Sequence, residues 1–272
     1  MECGDLICPL CGTALVVGEK ALRCRKGHSF DVAKEGYCNL LTGSKPGDSI
    51  GDNREMVRAR REFLTQGWYA PLADALCRQI AALCPAEHAL VLDAGCGEGF
   101  YTGHMADSLP QAHVIGVDIS KHACAMAAKR YGNCTFLTAS AAAMPVRTGA
   151  ADVVVSVFAP VFPQEVARVL KPGGVLLRAV PGARHLMELK QAVYDAAYEN
   201  DESKYSLEGF VEVGRERVQY RRFIPDSATI RQLFAMTPYA HRTPREGMAR
   251  LAKLDSADVT IDFLVLISNQ EV

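Results

Sequence analysis

Four residues near the start of the chain have the types and the spacing of metal ligands. Cys8 and Cys11 form a Cys-x-x-Cys pair, twelve residues lie between Cys11 and Cys24, and three lie between Cys24 and His28. Three thiolates and one imidazole suit zinc in tetrahedral geometry. Scattered buried cysteines are the ordinary alternative, but the regular spacing favours a structural zinc site with no open coordination position.

A glycine-rich turn further along the chain has the properties of a nucleoside-binding site. Asp93 ends an apolar run, and Gly95, Gly97 and Gly99 follow before a helical pattern begins near Phe100. Glycines let the backbone approach a ligand closely, and the free amides at a helix start favour electron-rich groups. A dinucleotide turn has the spacing Gly-x-Gly-x-x-Gly. Because the third glycine comes one residue earlier here, the spacing disfavours a nicotinamide cofactor.

A second acid follows the next apolar run. Asp118 directly follows the apolar residues 114–117, and at this position its carboxylate could accept hydrogen bonds from the two hydroxyls of a ribose. Capping of a helix over residues 120–130 is the alternative for Asp118. Anchoring of the loop is the alternative for Asp93. Both acids therefore have a structural explanation beside the functional one.

The elements that position these residues alternate between strands and helices. Short apolar runs at residues 89–92, 114–117, 135–137, 153–157 and 175–179 are separated by helical patterns beginning near Phe100, Lys121 and Pro163. Repeated strand-helix-strand units predict an α/β fold with a parallel sheet and helices on both faces. Helices over 184–194 and 226–235 and a strand over 259–267 complete the prediction.

Three segments are predicted along the chain. Residues 1–41 form a zinc-binding module that is too small for its own core and needs the metal to fold. Residues 42–84 contain a glycine- and proline-rich linker, up to residue 53, and a helical bridge over 54–63 and 71–83. Residues 85–272 form the large catalytic domain.

Composition limits the classes of partner and compartment. The net charge of the 272 residues is −1, which argues against indiscriminate coating of nucleic acid. Ten cysteines without a signal peptide indicate a reducing compartment, so we expect a cytoplasmic protein. No apolar run is long enough to predict a membrane span. A local cluster of cations nevertheless surrounds the predicted zinc site: Lys20, Arg23, Arg25, Lys26 and Lys34.

The order of turn, acid and strands resembles the class I S-adenosylmethionine-dependent methyltransferases. The resemblance is carried by Asp93, the three glycines of the turn and Asp118, and the predicted strand order extends it over about two thirds of the chain. It implies S-adenosylmethionine as the cofactor and a Rossmann-like, mostly parallel, seven-stranded sheet. Members often have an acid at the adenine in a third motif, whereas this chain has Ser140 within residues 138–142. The resemblance therefore implies adenine contacts through Ser140 and the backbone.

A narrower resemblance covers nearly the whole chain. The chain resembles the bacterial 23S ribosomal RNA (guanine-N1)-methyltransferases. The segments that carry the resemblance are residues 8–11, the pair Cys24 and His28, and residues 30–37, 39–41, 58–61 and 181–189. The resemblance implies methylation of N1 of one guanine in a hairpin loop of that RNA, and it allows for a homodimer. It also implies cofactor contacts by Tyr69, Gly99, Phe100 and His185. Starting a helix is the alternative for Tyr69, and a capping or core role is the alternative for His185.

The acceptor pocket is predicted directly after the fourth strand. Phe158, Pro160 and Phe162 lie where related enzymes bind the methyl acceptor, and an aromatic ring there could stack on an extruded base. Ordinary core phenylalanines are the alternative, and no general base is identified. Two other functions stay open: a small-molecule methyltransferase whose zinc module only braces the fold, and an RNA-binding protein that no longer catalyses.

Overall fold

The N-terminal segment folds into a small antiparallel sheet. The computed structural model describes residues 4–43, 54–84, 88–237, 239 and 243–271. Strands β1 (Leu15–Val17), β2 (Ala21–Cys24) and β3 (Ser29–Asp31) pair in the order β1-β2-β3. The hairpin between β2 and β3 contains Gly27, whose φ of +87° lies in the left-handed region that glycine adopts without strain. The turn brings Cys24 and His28 together.

The rest of the chain is built around one large sheet. Its strands are β4 (Cys38–Asn39), β5 (Leu90–Ala94), β6 (His113–Asp118), β7 (Thr135–Thr138), β8 (Ala151–Val157), β9 (Leu170–Pro181), β10 (Phe210–Ile224) and β11 (Ala257–Gln270). They are ordered β10-β11-β9-β8-β5-β6-β7-β4. All neighbours from β9 to β4 are parallel, and β11 is antiparallel to β9 and to β10. Residues 85–272 thus contribute seven strands, the number that the family resemblance implies, and β4 adds an eighth.

The helices lie mainly between the strands. They are α1 (Arg54–Thr65), α2 (Ala70–Leu83), α3 (Phe100–Ser108), α4 (Lys121–Arg130), α5 (Pro163–Val169), α6 (Met187–Val193), α7 (Ser227–Ala235) and α8 (Arg245–Leu251). A 3-10 turn spans Glu202–Tyr205. Helices α3, α4 and α5 begin where the sequence predicts. In the described part of the chain, no helix has the length and apolar character needed to span a bilayer.

Strand β10 and helix α8 were not predicted. Most side chains of β10 are exposed, and it carries Glu212, Arg215, Glu216 and Arg217 in its first half. It lies at one edge of the sheet and, among the described strands, pairs with β11 alone. An edge strand with charged side chains has no apolar period, so its sequence gives no strand signal.

The N-terminal module and the large sheet share contacts and a core. Cys38 and Asn39 of β4 pair with Leu137 and Thr138 of β7. Buried apolar residues of the module and of the large sheet form one cluster. The module contributes Leu6, Leu15, Leu22 and Leu40, and the sheet contributes Leu90, Leu92, Ile115 and Leu137. The predicted linker over 42–53 lies outside the described residues except for positions 42 and 43. The boundary between module and catalytic domain stays a prediction.

Candidate functional site

The four predicted zinc ligands lie together in one cluster. Cys8 Sγ and Cys24 Sγ are each 3.4 Å from Nδ1 of His28, and Cys11 Sγ is 3.7 Å from Cys24 Sγ. All four ligand atoms lie within 4.8 Å of one another. Tetrahedral zinc, about 2.3 Å from sulfur and about 2.0 Å from nitrogen, separates its ligands by roughly 3.5–3.8 Å. The donor set therefore fits zinc in type and in spacing.

Hydrogen bonding prepares one thiol of this cluster for a metal. The hydroxyl of Thr13 lies 3.2 Å from Cys11 Sγ, and its hydrogen bond, with that of the Thr13 backbone, lowers the pKa of Cys11 to about 7. Thiolates, not thiols, bind zinc. The surrounding cations Lys20, Arg23, Arg25, Lys26 and Lys34 are all exposed. The module thus exposes these five cations, together with the acids Glu19 and Asp31.

The glycine turn joins β5 to α3 and has no room for side chains. Gly95 has a φ of +89°, and a Cβ there would lie 2.4 Å from the Cβ of Ala159. Gly99, with a φ of +82°, would place a Cβ 2.8 Å from the Cβ of Ala127. The amide of Gly97 donates to Oδ2 of Asp118 at 2.9 Å. Backbone conformation and close packing both require glycine, and the turn is tied to the end of β6.

The two predicted acids have different surroundings. Asp93 is buried and accepts a hydrogen bond from the Thr102 hydroxyl at 2.6 Å, whereas its Oδ1 has no partner among the described residues. Burial, with a smaller contribution from Asp118, raises the pKa of Asp93 to about 7. Asp118 accepts the amide of Ser120 at 2.7 Å, and the Ser120 side chain, not Asp118, caps α4. Asp118 is therefore not the residue that caps α4, and Ser120 has that role.

A cavity of about 780 Å³ opens at the carboxyl ends of the parallel strands. Its volume lies within the range of about 300–1,000 Å³ that is typical of small-molecule sites. Ten of the predicted residues line it: Tyr69, Gly95, Gly97, Phe100, Asp118, Ser140, Phe158, Pro160, Phe162 and His185. Asp93 and Gly99 lie outside the lining.

An aromatic cluster forms one wall of the cavity around Phe263. The ring of Phe263 lies 4.8 Å from Tyr69, 5.1 Å from Phe158 and 4.7 Å from His185 between centroids. Burial raises the pKa of Tyr69 well above its usual range, so its phenol stays neutral. Tyr69 also immediately precedes α2, which means that its helix-start role and its place in the cavity wall coexist. Phe263, on β11, was missed by the sequence analysis.

The two phenylalanines of the predicted acceptor pocket are exposed. Phe158 is 43% exposed and Phe162 is 40% exposed, so neither is a core phenylalanine. Phe158 has a φ of +53°, an uncommon conformation for a large side chain and one that is found at functional sites. The Ser156 hydroxyl donates to the carbonyl of Ala159 at 3.3 Å and braces this turn. Two apolar rings thus stand at the rim of the cavity.

Glu98 and Arg60 also line the cavity and were not predicted as site residues. Burial raises the pKa of Glu98 to about 7, and the nearby charge of Arg60 opposes this increase. The Glu98 carboxylate accepts the amide of Phe100 at 3.1 Å at the start of α3. Glu98 lies inside the glycine motif and was available to sequence analysis, whereas Arg60 reaches the turn from α1, far away in sequence.

Known protein families resemble both the N-terminal module and the large domain of this chain. The zinc-ribbon family model described as "RlmA, N-terminal" matches residues 6–45, and the model described as "Methyltransferase domain" matches residues 91–174. A 23S rRNA (guanine(748)-N(1))-methyltransferase from Streptomyces fradiae is 34% identical over 92% of this chain and 90% of its own length. Proteins named as 23S rRNA (guanine-N(1)-)-methyltransferases from Micromonospora griseorubida and Bacillus subtilis are 34% and 32% identical, over 97% and 96% of this chain and 96% and 95% of their own lengths.

The chain belongs to the 23S rRNA (guanine-N1)-methyltransferase family. This confirms the family resemblance, the Rossmann-like class I methyltransferase fold and the N-terminal zinc ribbon. S-adenosylmethionine is the cofactor of this fold. The cavity fits it in two respects: a suitable volume, and a turn in which Gly95 has no room for a Cβ.

Proposed function

We propose that this methyltransferase transfers a methyl group from S-adenosylmethionine to N1 of one guanine in a hairpin loop of 23S ribosomal RNA, in the cytoplasm. The observation that carries the proposal is the similarity to relatives named for that reaction, which are 32–34% identical over more than nine tenths of the chain. The exposed aromatic rim of the cavity supports it, because a base must leave its stack to reach a buried methyl donor.

We assign the cofactor to the floor and wall of the cavity. In the proposal, Gly95, Gly97 and Phe100 contact the nucleoside, Asp118 accepts from the ribose hydroxyls and Ser140 faces the adenine. Tyr69 and His185 contact the cofactor from the opposite wall. Asp93 and Gly99 hold the turn in shape. These contacts orient the methyl donor, and orientation supplies much of the rate enhancement in a transfer between two bound reactants.

We assign the acceptor guanine to the rim formed by Phe158, Pro160 and Phe162. Stacking on an aromatic ring would hold the extruded base with N1 towards the methyl group, in line with the bond that breaks. The bound cofactor supplies an activated methyl group, so the chain's task is to orient the base and exclude water. N1 of guanine carries a proton at neutral pH, and that proton must leave as the new bond forms.

The zinc module is proposed to bind the RNA hairpin. Five cations that lie close in sequence to the metal ligands are exposed, and contacts with phosphates supply most of the affinity of a protein for nucleic acid. Residues 1–41 would then act as the recognition module, residues 42–84 as a linker and helical bridge, and residues 85–272 as the catalytic domain. A homodimer is compatible with this arrangement.

Transfer of labelled methyl groups tests the acceptor. Purified protein with labelled S-adenosylmethionine should label 23S ribosomal RNA from a strain that lacks the gene, and primer extension on that RNA should stop at one guanine, because N1 methylation blocks base pairing. The position of the stop also identifies the guanine that is modified. Unlabelled RNA in the presence of bound cofactor would contradict the proposal.

A charge-removal variant separates the proposal from the small-molecule alternative. Alanine at Arg23, Arg25 and Lys26 should reduce RNA methylation at physiological salt while cofactor affinity is retained, because these side chains lie outside the cavity. Alanine at Arg231, Arg245 and Lys253, three exposed cations outside the module, is the matched control. Full activity of the triple variant would favour a zinc module that only braces the fold.

A further inference from the structure

The loop that carries His185 is fixed to strand β11. It connects β9 to α6 through residues 182–186. The amide of Gly182 donates to the carbonyl of Asp262 at 2.8 Å, and the amide of Leu186 donates to the carbonyl of Thr260 at 2.8 Å. A Cβ on Gly182 would lie 2.5 Å from the Asp262 carboxylate, so the loop approaches the strand as closely as glycine allows.

The same strand fixes the protonation pattern of the imidazole. The backbone amide of Asp262 donates to Nδ1 of His185 at 3.3 Å. Because a backbone amide can only donate, Nδ1 carries no proton, and the neutral ring carries its proton on Nε2. Burial, helped by the charge of Lys190, lowers the pKa of His185 to about 3 and keeps the ring neutral. The ring lines the cavity, and no described residue pairs with its Nε2.

The Asp262 side chain supports the loop from beneath. Its carboxylate is fully buried and accepts the amide of Arg184 at 2.9 Å and the guanidinium of Arg217 at 3.1 Å. A buried carboxylate needs such a partner, since an unpaired charge is strongly destabilising. Arg217 also contacts Glu202, which accepts the amide of Ala183 at 2.8 Å. Two acids and one arginine therefore hold consecutive loop amides.

We propose that Asp262, together with Arg217, is a positioning residue that presents His185 as a fixed Nε2–H donor to an oxygen of the bound cofactor. His185 then binds and orients, and it does not act as the base that removes the proton from guanine N1. The inference rests on the proposed function, in which the cavity holds S-adenosylmethionine.

Binding of S-adenosylhomocysteine to the full chain, without RNA, tests the donor role. Glutamine can place its amide nitrogen near the position of Nε2, whereas asparagine places it near Nδ1. His185→Asn should weaken binding by about tenfold, the effect of one typical hydrogen bond, and His185→Gln should restore most of the affinity. Equal weakening by both substitutions would overturn the inference. Failure of the unsubstituted protein to bind would instead contradict the proposed function.

A pair of arginines on β10 tests the positioning role. Arg217→Met removes the partner of Asp262, whereas Arg215→Met, two residues away, removes contacts with Glu212 and Glu202 only. Arg217→Met should raise the dissociation constant for S-adenosylhomocysteine by about tenfold, and Arg215→Met should leave it unchanged.

Nitrogen chemical shifts of labelled histidine separate positioning from simple bracing of the fold. The unsubstituted protein should show His185 with its proton on Nε2, and Arg217→Met should reduce the population of that form. A His185 that is protonated on Nδ1 in the unsubstituted protein would overturn the inference. So would an Arg217→Met variant with lower thermal stability but unchanged cofactor affinity and an unchanged histidine spectrum.

Discussion

The zinc centre and the cofactor cavity are assembled in different ways. The four zinc ligands come from residues 8–28 and are brought together by one short sheet. The cavity collects residues from Met56 to Phe263, on helices, strand ends and loops across the large sheet. The zinc centre depends on each of its four ligands. The cavity depends on the arrangement of many elements at the carboxyl ends of the strands. Substitutions in the two regions should therefore fail differently.

Loss of one zinc ligand should have the largest effect. Cys11→Ser should abolish stoichiometric zinc, and because the module shares its core with the large sheet, thermal unfolding of the entire chain should shift downward by about 10 °C or more. Cys84→Ser, outside the cluster, is the control and should retain zinc. Metal analysis and calorimetry provide the measurements. A variant that kept its zinc would remove Cys11 from the ligand set.

Filling the glycine turn should affect the cavity while sparing the metal. Gly95→Ala introduces a Cβ 2.4 Å from Ala159 at a φ of +89°, so we expect a loss of about 100-fold or more in S-adenosylhomocysteine affinity with zinc retained. Gly132→Ala, where a Cβ meets nothing within 4 Å, should bind normally. Titration calorimetry measures both. Normal binding by Gly95→Ala would mean that the turn does not hold the cofactor.

Removal of a rim aromatic should affect the RNA step alone. Stacking of a base on an aromatic side chain contributes about 1–3 kcal/mol, so Phe158→Ala should lower kcat/KM for RNA by roughly 10- to 100-fold without changing cofactor affinity. Phe223→Ala, on the exposed edge strand, serves as the comparison. If the two variants methylate RNA equally well, the acceptor lies elsewhere.

The smallest effect concerns pH. The pKa of Asp93 is raised from 3.8 to about 7 in the folded protein, so the folded state binds a proton that the unfolded state has lost between these values. This contribution to stability is complete below about pH 4 and disappears as pH rises through 7. The slope of the unfolding free energy against pH measures the difference in bound protons between the two states. Between about pH 4 and 7, Asp93→Asn should reduce that difference by on the order of one proton.

The difference between the two regions also explains what the sequence could predict. The zinc ligands and the glycine turn were found because a metal or a tight turn fixes residue types at short spacing. Phe263 and Asp262 were missed because the antiparallel pairing of β9 with β11, which sets Phe263 opposite Pro181, connects residues about eighty positions apart. The one available signal was a single acid, Asp262, inside an apolar strand. Strand β10 was missed because its exposed charges hide the strand period.

Strand β4 has a consequence for the solubility of the catalytic domain. Its two residues lie along the outer side of β7, where the parallel sheet would otherwise end in unpaired backbone groups. Such edges are templates for pairing with other chains. The opposite edge, β10, is protected by its own arginines and glutamates, but β7 has a fully buried side-chain pattern and no charge. The zinc ribbon therefore also shields the sheet against edge-to-edge aggregation.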